Sequence, residues 1–145
     1  MTNREGFFWR AIEEGRELSP VATLLGWKLL DAGDEQRPFR VQFEGRPEFC
    51  NPAGNIHGGM QAAMLDETLS PALASLLGAG QFPATLELKV SFIAPARVGA
   101  LTGEARVVSR GKSICFLEAN LRDVDGRLVA TATATAMLRR LGGNR

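Results

Sequence analysis

The segment that decides the fold is GNIHGGMQAAMLDETLSPALASL, residues 54–76, which has the pattern of a long helix starting after a pair of glycines. Helical spacing places Met60 and Met64 toward one side of this helix, and Leu65 and Leu69 toward the others. Because apolar residues surround nearly its whole circumference, the helix is predicted to be buried on most sides. A sheet with one apolar face could wrap around such a helix.

The residues that follow have the pattern of four consecutive strands. In TLELKVSF, residues 85–92, apolar and polar side chains alternate over eight positions, with Thr85 among the polar ones, which is typical of a half-buried strand. The last strand alternates alanine with threonine, and its narrow alanine face leaves room for the helix. The remaining predicted strands are 27–32, 38–44, 99–109, 113–122 and 128–138. Strands grouped apart from helices indicate an α+β fold with an antiparallel sheet wrapped around one long central helix.

The N-terminal part is predicted to be helical. The i, i+4 pair Phe8 and Ile12 favours a short amphipathic helix within residues 1–14, packed on the body of the protein or on a partner subunit. Ser19 and Pro20 suit the cap and first turn of another short helix, which should stop at Gly26. We therefore expect residues 1–145 to form a single domain, with residues 1–18 as an N-terminal helical extension.

The composition excludes several classes of function. The 145 residues carry 17 basic and 16 acidic side chains, a net charge of +1, which argues against nucleic acid as the main partner. No apolar run approaches the length of a membrane span. The two cysteines form no paired motif and no signal peptide is evident, so we expect a reduced cytoplasmic setting. The single histidine, His57, cannot make a multi-histidine metal site.

The glycine pair has a possible chemical role. A helix that begins near Gly58 and Gly59 leaves its first N–H groups without internal partners, and glycine does not obstruct a ligand that approaches them. The helix dipole adds partial positive charge, so this position could stabilise a carbonyl oxygen that gains negative charge. A plain turn before a helix explains the same residues. His57 suits a loop-supporting histidine better than a general base.

The helix also carries two neighbouring carboxylates, Asp66 and Glu67. A carboxylate on a largely apolar helix is costly unless it is paired or functional, so Asp66 is a candidate catalytic residue. A buried ion pair or a boundary position would explain it equally well. Glu67 beside it can point to solvent more easily. Pro71 removes one helical hydrogen bond and frees the carbonyl of Glu67, so we expect a kink or a break there.

The spacing of these groups limits how they could act together. Nine residues of helix, from His57 to Asp66, rise about 13 Å and place the two positions on opposite sides. Asp66 therefore cannot easily act on a carbonyl bound at the glycine pair of its own chain. If both serve one reaction, two chains must contribute to each site.

The segment NPAGNIHGGMQAAMLD, residues 51–66, resembles the hotdog-fold acyl-CoA thioesterases of the phenylacetate-degradation (PaaI-like) group. The matching features are an asparagine six residues before the histidine and an aspartate nine residues after it. APARVG after one strand and RGKS in a later hairpin are also similar, and the resemblance runs from about Pro20 to Leu138. It implies a sheet wrapped around a central helix, homodimers with a continuous sheet, often homotetramers, and active sites between two subunits.

The resemblance also implies roles for individual residues. Asp66 would be the general base or nucleophile on the thioester, and the Gly58 N–H would polarise its carbonyl. Asn51 would orient the substrate or the attacking water, His57 would support the loop, and Thr85 would position water. No metal or organic cofactor is needed for this reaction.

Further residues are candidates for binding the acyl-CoA substrate. They are Gly59 beside the proposed oxyanion donor, and three basic residues for the coenzyme A phosphates, Arg97, Arg110 and Lys112. Each basic residue is also readily explained as a solvated surface charge.

Two other functions remain open from the sequence. A hotdog 3-hydroxyacyl thioester dehydratase would also place a histidine near an acidic residue of a partner helix, as His57 and Asp66 could be. A non-catalytic acyl-CoA binding protein is the second alternative, and an acyl-CoA that binds tightly and stays intact would favour it.

Overall fold

The computed structural model describes residues 4–140 and residue 142. Three helices and six strands follow one another in the chain. They are α1 (Phe7–Glu13), α2 (Pro20–Leu24), β1 (Lys28–Asp31), β2 (Phe39–Gly45), α3 (Gly58–Ala74), β3 (Gln81–Phe92), β4 (Gly99–Arg110), β5 (Ile114–Arg122) and β6 (Leu128–Arg140), with a short 3₁₀ helix at Pro47–Phe49.

The six strands form one sheet in the order β1-β2-β4-β5-β6-β3, and every neighbouring pair is antiparallel. The helix α3 packs against this sheet, which confirms the predicted α+β architecture with one long central helix. The two edges of the sheet differ, since β1 has only four residues and β3 has twelve. The long edge strand β3 is therefore the one with a substantial row of unpaired backbone groups.

The central helix is buried as predicted, because small residues of the sheet let it come close. Met64, Leu65 and Leu69 are at most 1% exposed. On β4, a Cβ added at Gly103 would lie 2.1 Å from Thr68 Oγ1, so only glycine leaves room for the helix there. The alanine face of β6 is also buried, at Ala130, Ala132, Ala134 and Ala136.

Pro71 does not break α3, which continues to Ala74. The predicted break is therefore absent, although the carbonyl of Glu67 lacks a helical donor as expected. The indole Nε1 of Trp27 donates a hydrogen bond to this carbonyl oxygen at 2.8 Å. A donor from outside the helix thus replaces the bond that proline cannot make, and a partly buried carbonyl is not left unpaired.

The N-terminal helix α1 packs on the body of its own chain. Phe8 is fully buried, and its ring lies against those of Trp9, Trp27 and Phe39, with centroids 5.0, 6.3 and 5.8 Å apart. The indole of Trp9 donates to the carbonyl oxygen of Ser75 at 2.9 Å, which ties α1 to the end of α3. Of the segment 1–14 predicted to be helical, residues 1–3 lie outside the described residues.

The short helix α2 is capped as predicted. The Ser19 hydroxyl accepts a hydrogen bond from the Ala22 N–H at 3.0 Å, and Pro20 occupies the first helical position. Gly26 follows with a φ of 68°, in the left-handed region that favours glycine.

Candidate active site

The structure brings Asp66 of α3 and Thr85 of β3 together. The Thr85 hydroxyl donates a hydrogen bond to Asp66 Oδ1 at 2.8 Å. The second oxygen, Oδ2, has no hydrogen-bond donor within the described ranges 4–140 and 142. One carboxylate oxygen is thus held in place, while the other is left to accept a proton.

A bulge in β3 turns Thr85 toward this carboxylate. Thr85 pairs with Ala136 and Glu87 with Thr135, so Leu86 is an extra residue in the strand. Strict alternation would have placed Thr85 on the same face as Glu87, opposite to Leu88. The extra residue instead puts Thr85 on the helix-facing side of the sheet, and leaves Leu86 55% exposed.

Glu67, which the sequence indicated can turn to solvent more easily than Asp66, is half-buried in the structure. It lines a groove that also contains Phe7, Phe82 and Pro83. Burial raises the pKa of Glu67, and the neighbouring charge of Asp66 raises it further. The two adjacent carboxylates therefore have different surroundings, one hydrogen-bonded to a threonine and one among apolar side chains.

The start of α3 presents a single free backbone donor. His57 is the N-cap, and its Nδ1 accepts a hydrogen bond from the Gly59 N–H at 2.9 Å, which places the ring proton of the neutral imidazole on Nε2. The Gly59 N–H is therefore occupied. The Gly58 N–H has no acceptor in the described part of the chain, and Phe92 lies close to the place where a Cβ of residue 58 would be, 3.0 Å from it.

Asn51, Gly58 and Phe92 line one cleft, which measures about 350 Å³. The Asn51 Oδ1 accepts hydrogen bonds from the N–H groups of Ala53 and Asn55 at 3.0 and 3.2 Å. Its oxygen thus holds the loop, and its side-chain nitrogen remains as a donor. Two donors, one from the backbone and one from this amide, can face a carbonyl oxygen that gains charge.

Gln61 is a polar residue of this cleft that the sequence did not single out. It is only 4% exposed, and its Nε2 donates to the carbonyl oxygen of Ile56 at 2.9 Å. This bond ties the residue before His57 to α3 and so fixes the start of the helix. Its Oε1 is buried without a partner in the described ranges. The signal in the sequence was a lone glutamine one turn into an apolar helix.

The two parts of the candidate site are separated within one chain. Gly58 and Asp66 are eight residues apart in one continuous helix, about 12 Å along its axis. On the edge strand β3, Phe92 lies beside Gly58, and Thr85 lies beside Asp66. The backbone donor and the carboxylate are therefore next to opposite ends of this strand.

The three basic residues predicted for phosphate binding do not meet. Arg97 follows Ala96, whose carbonyl accepts from Ile56 N–H at 2.7 Å near the start of α3. Arg110 donates to the carbonyl oxygen of Leu76 at 3.1 Å, just beyond the other end of α3. Lys112 is exposed in the adjoining hairpin. Arg110 therefore also has a structural role.

The described residues contain neither a metal-binding cluster nor a helix suited to span a membrane. In the ranges 4–140 and 142, no three His, Cys, Asp or Glu side chains are grouped so that they could hold a metal ion. None of the helices in that part of the chain has the length and apolar character needed to cross a bilayer.

With this geometry in place, comparison with known proteins identifies the family. The model of the thioesterase superfamily matches residues 53–130, more than half of the chain. The chain belongs to the thioesterase superfamily. The match includes the glycine pair, Asp66 and Thr85. It confirms the predicted family, and thioester hydrolysis is the reaction that names it.

Solved structures agree with the hotdog fold. A phenylacetic acid degradation-related protein from Ralstonia eutropha JMP134 has a TM-score of 0.82 and 36% identity, over 90% of this chain and 98% of that one. The BH2602 protein from Bacillus halodurans, crystallised with CoA, has a TM-score of 0.75 and 26% identity, over 91% of this chain and 83% of that one.

The matches with two sequence relatives span about two thirds of each relative's own length. Human acyl-coenzyme A thioesterase 13 is 27% identical over 93 residues, which are 63% of this chain and 66% of that enzyme. The matched share is similar, at 65%, for a relative from Saccharolobus solfataricus.

Proposed function

We propose that this chain is an acyl-CoA thioesterase whose active sites are each built from two copies of the chain. The observation that carries the proposal is the hydrogen bond between Thr85 and Asp66, which prepares a carboxylate at the family position. The BH2602 protein was crystallised with CoA and a human relative is an acyl-coenzyme A thioesterase, which supports acyl-CoA as the substrate class.

Asp66 acts as a general base or a nucleophile in this proposal. As a base, Asp66 Oδ2 takes a proton from water, and the water oxygen attacks the thioester carbon. The Thr85 hydroxyl donates a hydrogen bond to Oδ1, and its oxygen can still accept a hydrogen bond from that water. The carbon–sulfur bond then breaks, and coenzyme A leaves as a thiol once protonated, with the free acid as the other product.

The Gly58 N–H, with the Asn51 side-chain nitrogen beside it, stabilises the oxygen that gains negative charge during the attack. Gly59 contributes by having no side chain in the way, because its own N–H is engaged by His57. His57 thereby keeps the helix start in position. A dehydratase would need His57 as the base, but its Nδ1 lone pair already accepts this hydrogen bond, so thioester hydrolysis is favoured.

Two chains can combine these groups through the edge strand β3. A second β3 pairing antiparallel about a two-fold axis would reverse the strand, so Thr85 of one copy would lie opposite Phe92 of the other. This arrangement brings Asp66 of one helix toward Gly58 of the next. It also brings Arg97 toward the helix end that carries Arg110 and Lys112, which gives the phosphates of coenzyme A a shared basic region.

Because Leu86 is an extra residue in the bulge, that register places the two-fold axis at Lys89, which a disulfide can test. Two copies of a Lys89→Cys variant would lie directly opposite each other with Cα atoms about 5 Å apart, within disulfide range, whereas two copies of Ser91→Cys would be separated by about 14 Å. Both variants carry Cys50→Ser to remove the half-buried native thiol. Rapid oxidative cross-linking of the first alone is expected. Equal cross-linking of both would exclude the register.

The decisive experiment mixes two inactive variants. Asp66→Asn removes the carboxylate, and Gly58→Pro removes the free donor while keeping a residue suited to a first helical turn. Each should release little thiol from a panel of short, long and aromatic acyl-CoAs. Mixed dimers contain one site with both defects and one with neither, so activity should return toward half of wild type. Verified, folded heterodimers that stay as inactive as their parents would exclude the two-chain site.

A further inference from the structure

A second cavity lies beside Glu67, the residue that follows Asp66 in α3, and is named here the Glu67 groove. It measures about 110 Å³ and lies between α1, the second half of α3 and the beginning of β3. Its main walls are the rings of Phe7 and Phe82, with centroids 5.4 Å apart, and the prolines Pro71 and Pro83. Since an apolar cavity of about 150 Å³ can hold one benzene molecule, this smaller groove suits the outer four or five heavy atoms, roughly, of a compact acyl group.

Among the residues that the structure describes, Glu67 is the only ionisable one that lines this groove. Its carboxylate has no hydrogen bond or ion pair with any residue in the described ranges 4–140 and 142, and burial together with the charge of Asp66 raises its pKa. A polar group among aromatic rings and prolines is costly unless something pairs with it. Within the described residues, the groove therefore has largely apolar walls, two serine hydroxyls and one unpaired carboxylate.

The groove adjoins the proposed reaction centre. Glu67 directly follows Asp66 in α3, and Ser70, which also lines the groove, lies one helical turn after Asp66. Pro83, on the opposite wall, lies two residues before Thr85 in β3. A thioester held at Asp66 would therefore have its acyl group at the mouth of the groove.

We infer that the Glu67 groove receives the acyl group, and that Glu67 selects compact acyl groups of about six carbons that carry a hydroxyl at the far end. The apolar walls would hold the carbon chain, and the Glu67 carboxyl would accept a hydrogen bond from the hydroxyl. This inference rests on the proposed thioesterase function, and makes Glu67 a specificity-determining residue that does not touch the reacting atoms.

The test compares two substrates that differ only in the hydroxyl, 6-hydroxyhexanoyl-CoA and hexanoyl-CoA. The wild type should favour the hydroxylated substrate at least about tenfold in kcat/KM. Glu67→Leu should abolish or reverse this ratio, because it removes the acceptor and adds apolar surface. Glu118→Gln, on the exposed side of β5, serves as the control and should leave the ratio unchanged.

A second variant tests the walls. Phe82 is 40% exposed, so Phe82→Ala should fold, open the groove and raise kcat/KM for dodecanoyl-CoA relative to hexanoyl-CoA by at least about fivefold. Phe116→Ala, which removes another exposed ring from β5, should not. If neither Glu67→Leu nor Phe82→Ala changes these ratios while both substrates are hydrolysed, the groove is not the acyl site. If no acyl-CoA is hydrolysed at all, the proposed function itself fails.

Discussion

At the start of α3, the Gly58 N–H lies beside an open cleft and has no acceptor among the described residues. In contrast, three backbone carbonyls in the second half of α3 and just after it accept hydrogen bonds from side chains elsewhere in the chain. Trp27 donates to Glu67, Trp9 to Ser75 and Arg110 to Leu76. Buried backbone groups are nearly always paired, and the second half of the helix follows this rule, whereas Gly58 at the start is only partly buried.

This difference separates stability from chemistry along one helix. Two tryptophans and an arginine complete the hydrogen bonds of the second half, and their loss should weaken folding. In the proposed mechanism the open donor at the start and Asp66 in the middle serve the substrate, and neither is expected to add much to the stability of the fold. Changes at the two ends of α3 should therefore affect different measurements, and the predictions below test that separation.

The largest effect is expected at Asp66. Asp66→Asn should lower kcat for acyl-CoA hydrolysis by at least about 100-fold, the range of a positioned acid–base group, with little change in Tm. The measurement is thiol release together with thermal unfolding. Asp125→Asn, in the exposed β5–β6 loop, is the control for loss of an aspartate. Near-wild-type turnover in Asp66→Asn would remove this residue from the mechanism.

A smaller effect is expected at Thr85. Thr85→Ala should lower kcat about tenfold, as expected from losing about 1.4 kcal/mol, the value of one good hydrogen bond. Thr85→Ser keeps the hydroxyl and should retain most activity. Equal, severe losses in both variants would show that the methyl group, through packing, matters more than the bond to Asp66.

At the other end, Trp27→Phe should lower the free energy of unfolding by about 1–2 kcal/mol, because it leaves the Glu67 carbonyl unpaired, while kcat changes little. Urea unfolding measures this cost. Pro71→Ala supplies a backbone N–H to the same carbonyl, so Trp27→Phe should cost less in that background. An unchanged cost would mean that the indole acts through packing alone.

The smallest effect concerns Glu67 and pH. Burial raises its pKa in the folded state above the unfolded value, so the ionised carboxylate disfavours folding at neutral pH. This penalty decreases as pH falls through the folded pKa and disappears below the unfolded pKa, where both states are protonated. Glu67→Gln should therefore have a higher Tm than the wild type at pH 7, with the difference vanishing near pH 4. A difference independent of pH would contradict this assignment.

Local patterns predicted most of the fold. The apolar circumference of α3, the alternation in the strands and the Ser19–Pro20 cap all depend on neighbours a few residues apart, and each is observed. The prediction of strand β3 was less complete, because the strand begins at Gln81 and the predicted segment began at Thr85. The family spacing also pointed to Asp66 and Thr85, which the structure joins by a hydrogen bond.

What the sequence could not give depended on contacts between distant residues. The bulge at Leu86 reverses the face of Thr85, and alternation alone cannot reveal an extra residue. The fate of the helix at Pro71 depended on Trp27, 40 residues before Glu67. The burial of Glu67 depended on α1 and the start of β3, which together enclose the groove.

The placement of the tryptophans also has an optical consequence. The chain contains two tryptophans and no tyrosine, and both indoles donate to carbonyls in or just after the second half of α3. Intrinsic fluorescence therefore reports on that half of the helix. A molecule entering the Glu67 groove beside Pro71 should shift the emission, whereas one that reaches only the cleft at Gly58 should leave the spectrum unchanged. If the Glu67 groove holds the acyl group as proposed, tryptophan emission would report the binding of that end of the substrate.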